Sequence, residues 1–101
     1  MYRPLPDCLT VKQSEVQGLG LFATEAIPED TVLGIVHIEN KNFPHGAIRT
    51  ALGAFYNHSD TPNCRNVPGY WHQLPVRYLQ TIKPIGEGEE LTACYSLYNT
   101  F

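Results

Sequence analysis

The sequence predicts a mostly β fold of short, curved sheets with at most one or two short helices, and three observations carry that prediction. Eight glycines and eight prolines cut the 101 residues into short pieces. The apolar pieces, chiefly Val32-Leu33-Gly34-Ile35-Val36-His37-Ile38 and Val76-Arg77-Tyr78-Leu79-Gln80-Thr81-Ile82, are rich in the β-branched and aromatic residues that suit a pleated, half-buried surface. Only His45 to Leu52 has helical spacing, with Ile48 and Leu52 four apart and Arg49 and Thr50 free to face water.

In chain order, the two long strands are joined by shorter ones over Leu9 to Val11, Gly20 to Ala23 and Leu91 to Ala93. Turns are predicted at Ile27-Pro28-Glu29-Asp30, Val67-Pro68-Gly69 and Gly86-Glu87-Gly88. Trp71 is expected to pack. There is no internal repeat, low-complexity tract or linker-like shift in composition, so residues 1–101 read as one domain.

Composition narrows the function. With 43% hydrophobic and 17% charged residues the chain can bury a modest core. No apolar run approaches the roughly 20 residues of a membrane helix, and the start Met1-Tyr2-Arg3-Pro4-Leu5-Pro6-Asp7 lacks the order of a signal peptide. A soluble, intracellular protein without a targeting signal is expected. Cys8, Cys64 and Cys94 are odd in number and far apart, which fits reduced thiols, and neither they nor the four histidines have metal-ligand spacing. A net charge of -3 with scattered lysines and arginines argues against direct nucleic-acid binding and mildly favours a basic, lysine-containing partner.

Three segments stand out. Gly18-Leu19-Gly20 lets a ligand approach the backbone closely, although most glycine pairs at a strand start are only turns. Asn57-His58-Ser59, followed by Pro62-Asn63-Cys64, reads by itself as a loop whose polar groups satisfy nearby backbone. Glu89-Glu90-Leu91-Thr92-Ala93-Cys94-Tyr95 carries adjacent carboxylates, but neighbours on a strand point to opposite faces and cannot share one substrate, so these two are structural. With six tyrosines in the chain, any one of them is more often a packing residue than a catalyst.

Together and in this order, the three segments resemble the SET-domain protein lysine methyltransferases, of the small viral or bacterial type, over about residues 14–98. The resemblance implies transfer of a methyl group from S-adenosylmethionine to a lysine amine of a histone or other host protein. It implies that Gly18, Leu19, Gly20, Asn57 and His58 contact the cofactor, that Tyr95 is catalytic, and that Tyr56, Ala93 and Tyr98 line the substrate channel. No metal is implied. It further implies a C-terminal pseudoknot, in which the stretch before the catalytic tyrosine passes through a loop made by an earlier one and brings Asn57 and Tyr95 together.

The sequence departs from the family pattern in three places. The stretch between Ile38 and Asn57 is shorter than the insert that forms one wall of the substrate groove. Only six residues, Ser96 to Phe101, follow Tyr95 here, so the cover that closes the lysine channel is expected from elsewhere. A homodimer through Leu97-Tyr98-Asn99-Thr100-Phe101 would supply it, and packing of that segment onto its own core is the alternative. Finally, Ala93 and Asn66 stand where family members often carry a phenylalanine or tyrosine that helps set the number of methyl groups added. Besides the enzyme, two readings stay open: a weak or inactive SET-like module that binds cofactor or a protein partner, and a structural β domain with no ligand.

Overall fold

The computed structural model describes residues 5–16, 18–43 and 46–93. Strand β1 (Leu9–Gln13) and strand β2 (Leu19–Ala23) form an antiparallel hairpin with Leu9 opposite Ala23 and Gln13 opposite Leu19. The hairpin is closed by a hydrogen bond from Ser14 N to Gly18 O at 2.7 Å. Strand β3 (Val32–Glu39) and the short β4 (Ala47–Arg49) follow, then helix α1 (Ala51–Phe55), the two-residue β5 (Asn57–His58), β6 (Cys64–Trp71), β7 (Leu74–Thr81) and β8 (Glu90–Ala93).

These strands make two four-stranded sheets, ordered β1-β2-β8-β5 and β4-β3-β7-β6. In the first, β8 runs antiparallel to β2, with Leu21 opposite Leu91, and parallel to β5, with Asn57 opposite Thr92 and His58 opposite Ala93. A strand near the end of the chain therefore separates the first hairpin from a segment in its middle. That placement builds the site described below. Outside the strands, Ile27 and Ile85 exchange backbone hydrogen bonds of 2.8 and 2.9 Å and are both buried.

The core lies between the sheets and joins Leu9, Leu21, Ala23 and Leu91 of the first with Leu33, Val36, Cys64 and Leu79 of the second, together with Leu52 and Tyr56. Each element is explained locally. Thr50 caps α1, its hydroxyl accepting from Gly53 N at 3.2 Å and donating to Ile35 O at 2.6 Å. This cap sets the helix at Ala51–Phe55, later than the His45 to Leu52 stretch that the spacing of Ile48 and Leu52 predicts. The middle of the predicted helical stretch is instead β4, because Ala47 to Arg49 find ladder partners on β3.

The expected turn at Val67-Pro68-Gly69 is also corrected: these residues lie within β6. Pro68 is tolerated there because β6 is the edge of its sheet. The reversal falls instead at His72 and Gln73, whose φ values of 48° and 68° give the left-handed two-residue connection that suits a twisted hairpin. Trp71, at the tip of that hairpin, does not pack into the core; it is 46% exposed and meets the His72 ring edge-on at 4.3 Å.

Candidate active site

Of the predicted residues, Leu19, Gly20, Asn57, His58 and Ala93 lie on the first sheet. At its centre the Glu90 carboxylate, half-buried on β8, accepts from Ser14 Oγ at 2.8 Å and from Asn57 Nδ2 at 2.8 Å. Asn57 Nδ2 also donates to Leu19 O at 3.3 Å. Asn57 is thus a strut joining β5 to β2 and β8, and Glu90 is the anion it rests on. Glu89 points elsewhere, accepting from Asn63 Nδ2 at 3.1 Å and from Gly86 N at 3.2 Å, so the two adjacent carboxylates serve separate structural tasks.

Gly20 has its reason here. A Cβ at that position would overlap the Glu90 carboxylate and stand 3.1 Å from Asn57 Nδ2. The glycine admits the strut to the strand, a role the sequence reading gave to the approach of a ligand. Gly18 is different: its φ of 49° is left-handed, and an added Cβ would meet nothing within 4 Å. Open space therefore adjoins the backbone at Gly18, beside the exposed Leu19.

Asn63, only 6% exposed, performs a second clamp. Its Nδ2 donates to Glu90 O at 2.7 Å and its Oδ1 accepts from Thr92 N at 2.8 Å, so it fixes both ends of the β8 backbone between those residues. Ser59 N donates to Ala93 O at 3.1 Å and continues the parallel pairing. Ser14 is a site-building residue for which sequence reasoning had no assignment, whereas Glu90 was expected to be structural and Asn63 to satisfy nearby backbone. For Asn63, sharing a segment with Asn57 was the available signal.

Of the predicted channel residues, Tyr56 and Ala93 are buried, at 3% and 0% exposure, in the same core cluster. The His58 side chain is half-buried and holds Nε2 3.2 Å from Asp60 Oδ1. Tyr95 and Tyr98 lie outside the described residues, two and five positions beyond the end of β8 at Ala93. Cys64 is a poor nucleophile, because burial, reinforced by the Glu89 charge, pushes its thiol pKa up to about 12.

Asn66 is anomalous. It is 7% exposed, and neither Oδ1 nor Nδ2 has a hydrogen-bond partner among the described residues. A buried amide group in that state costs about 1–3 kcal/mol per unmade bond, so proteins seldom keep one without use for it.

The family model of the SET domain matches residues 35–96. This chain belongs to the SET-domain family. Among solved structures, the SET domain aligns with a Plasmodium falciparum protein provisionally named a histone methyltransferase at a TM-score of 0.74 and 20% identity, covering 90% of this chain and 95% of that one. It also aligns with a Chaetomium thermophilum Polycomb Repressive Complex 2 structure bound to the inhibitor GSK126, at a TM-score of 0.64 and 22% identity. That match covers 87% of this chain and 15% of the other, so the SET domain spans a small part of the larger protein. A comparison with curated protein sequences gave no significant match. At these identities the structural likeness establishes the fold, and the mostly β, small-sheet architecture agrees with it.

SET-domain methyltransferases use S-adenosylmethionine, and the residues present suit it in kind. The open space at Gly18 and the apolar surface of Leu19 at the start of β2, and the half-buried polar pair Asn57 and His58 on β5, flank β8 in one sheet.

Proposed function

We propose that this SET domain is a protein-lysine N-methyltransferase that takes its methyl group from S-adenosylmethionine. The observation that carries the reading is the parallel pairing of Asn57 and His58 with Thr92 and Ala93, which places the predicted cofactor contacts beside the strand that leads into Tyr95. Two clamps, the half-buried Asn57 on Glu90 and the buried Asn63 on β8, hold that juxtaposition.

When bound, the cofactor would supply a methyl activated by its sulfonium for transfer to a neutral lysine amine. The protein's part is positioning and exclusion of water. Gly18, Leu19, Gly20, Asn57 and His58 would hold the cofactor, and Tyr95 would direct the lysine amine. A free lysine has a pKa of about 10.4, so the amine must shed a proton before reaction. The apolar walls at Tyr56 and Ala93 disfavour its charged form. The pseudoknot expected from the resemblance is part of this reading, and the place of β8 between β2 and β5 supports it. The homodimer contact proposed at Leu97 to Phe101 falls outside the described residues.

Calorimetry tests the binding half of this reading. S-adenosylmethionine and its demethylated product should compete for one site of unit stoichiometry. Absence of binding by both would exclude the enzyme and any cofactor-binding module alike.

A further inference from the structure

The second sheet is apolar on both of its faces. One face packs on the core through Leu33, Val36 and Leu79. The composition of the other follows from the register, because residues directly opposite in an antiparallel pair point to the same side. Ile48, Ile38 and Val76 form one row across β4, β3 and β7, and Ile35, Tyr78 and Val67 form the next across β3, β7 and β6. Trp71 with Leu74 bounds this outer face at the hairpin tip, and Val32 with Gln80 and Arg65 bounds it at the opposite end. Val76 is 1% exposed yet stands outside the core cluster, so it is covered by its neighbours in this outer layer. Around it Val32, Ile48 and Trp71 are 55, 43 and 46% exposed. An antiparallel sheet with one side in water alternates apolar and polar residues, whereas strands covered on both sides read as near-continuous apolar runs. Val32 to Ile38 is such a run.

We infer that the outer face of the β4-β3-β7-β6 sheet is an interface with a second copy of this chain, the two sheets stacking face to face. Charge favours a second copy over a different protein. Arg65 is the one charged side chain among the described residues of these rows, and Gln80 Oε1 accepts from its guanidinium at 3.0 and 3.1 Å. A two-fold contact sets each patch against itself, so a face with so little charge meets its own copy without like-charge opposition and offers an unrelated protein little to recognise electrostatically. Size agrees. Three strands of eight residues with the short β4 beside them give roughly 500 Å² a side, or about 1,000 Å² in total, which is where specific interfaces begin. Trp71 is the anchor, a large aromatic held at the tip against His72. This contact differs from the one expected at Leu97 to Phe101 and does not rest on the methyltransferase reading. The face is turned away from the core, so pairing through it leaves the candidate site on the first sheet uncovered.

The test is sedimentation equilibrium of the full chain over a concentration series reaching the millimolar range, with tryptophan emission read at each concentration. Trp71 is the only tryptophan in the sequence, so its emission reports on this face without a label. The mass should double, and the emission should move to shorter wavelength along the same curve as the indole leaves water. Ile48→Lys, at an exposed position, puts an unpaired ammonium into the contact and should raise the dimer dissociation constant by about 10²-fold or more. Phe101→Lys should leave that constant unchanged. A chain that stays monomeric at every concentration overturns the inference, as does a dimer whose formation leaves Trp71 emission unmoved. A dimer that survives Ile48→Lys but dissociates in Phe101→Lys overturns it as well and moves the contact to the C-terminal segment. Should Ile48→Lys fail to fold, the wild-type emission curve still decides.

Discussion

Asn57 and Glu90 meet through a 2.8 Å hydrogen bond that joins the middle of the chain to the strand preceding Tyr95. Glu90 also takes the Ser14 hydroxyl, so one half-buried carboxylate gathers three separate segments of sequence. The geometry of the candidate site depends on this single anion more than on any one cofactor contact.

Replacing Asn57 by alanine should therefore act twice. Loss of a charge-assisted bond should lower stability by about 1.5–3 kcal/mol in urea unfolding. Cofactor affinity should fall as well. Unchanged affinity in calorimetry would show that Asn57 is a strut only and that the cofactor contact lies elsewhere.

Gly20→Ala should mimic that loss without touching a polar group. The added methyl displaces the Glu90 carboxylate, which Ser14 and Asn57 hold in place, and so must break or stretch those bonds. A destabilisation of about 1–3 kcal/mol is expected. Glu90→Gln in the same background should add less than it does alone, and a double-mutant cycle measures the coupling. Strict additivity would mean that the methyl is accommodated without moving Glu90.

Acid should unfold the protein partly through His37. Burial foremost, then the charges of Arg49 and Arg77, lower its pKa from 6.5 to about 4. Arg49 and Arg77 are its register partners on the two flanking strands. The unfolded chain thus binds a proton near pH 6.5 that the folded protein refuses until about 4. Stability contributed by the neutral ring is present above that window and is lost as pH falls through it, by on the order of 3 kcal/mol. His37→Gln should flatten the pH dependence of the urea midpoint between pH 6.5 and 4. An unchanged slope would assign acid sensitivity to the carboxylates.

Much of this was legible in the sequence. The long strands β3 and β7 announced themselves by β-branched runs, and the motif order pointed to the family before any geometry. What local patterning could not give was decided by distant partners. Strands β4 and β5, of three and two residues, exist only because β3 and β8 offer ladders to them. The His72-Gln73 reversal lacks the Asn-Gly or Asp-Gly chemistry that marks such turns. Within the site, residue identities at Gly20 and Asn57 were evident, but their mutual contact through Glu90 was not, because residues 33 and 76 positions apart cannot be paired by spacing. The amide of Asn66 stood out in the sequence only as a missing aromatic.

Tyr95→Phe removes one oxygen and should separate binding from chemistry. Turnover should fall by about 10²-fold or more, as for other positioned catalytic groups, with cofactor affinity preserved. Near-normal turnover would transfer the role to another tyrosine, with Tyr98 the next to replace.

The most direct measurement is incubation of the purified protein with isotopically labelled S-adenosylmethionine and a panel of histones and other lysine-rich proteins, followed by mass spectrometry of the modified residues. The predicted result is label on the side-chain amine of specific lysines, abolished by Tyr95→Phe and by Asn57→Ala. Cofactor binding without label on any lysine, under conditions where an established lysine methyltransferase labels the same panel, would contradict the enzyme and leave a SET module that binds without turnover.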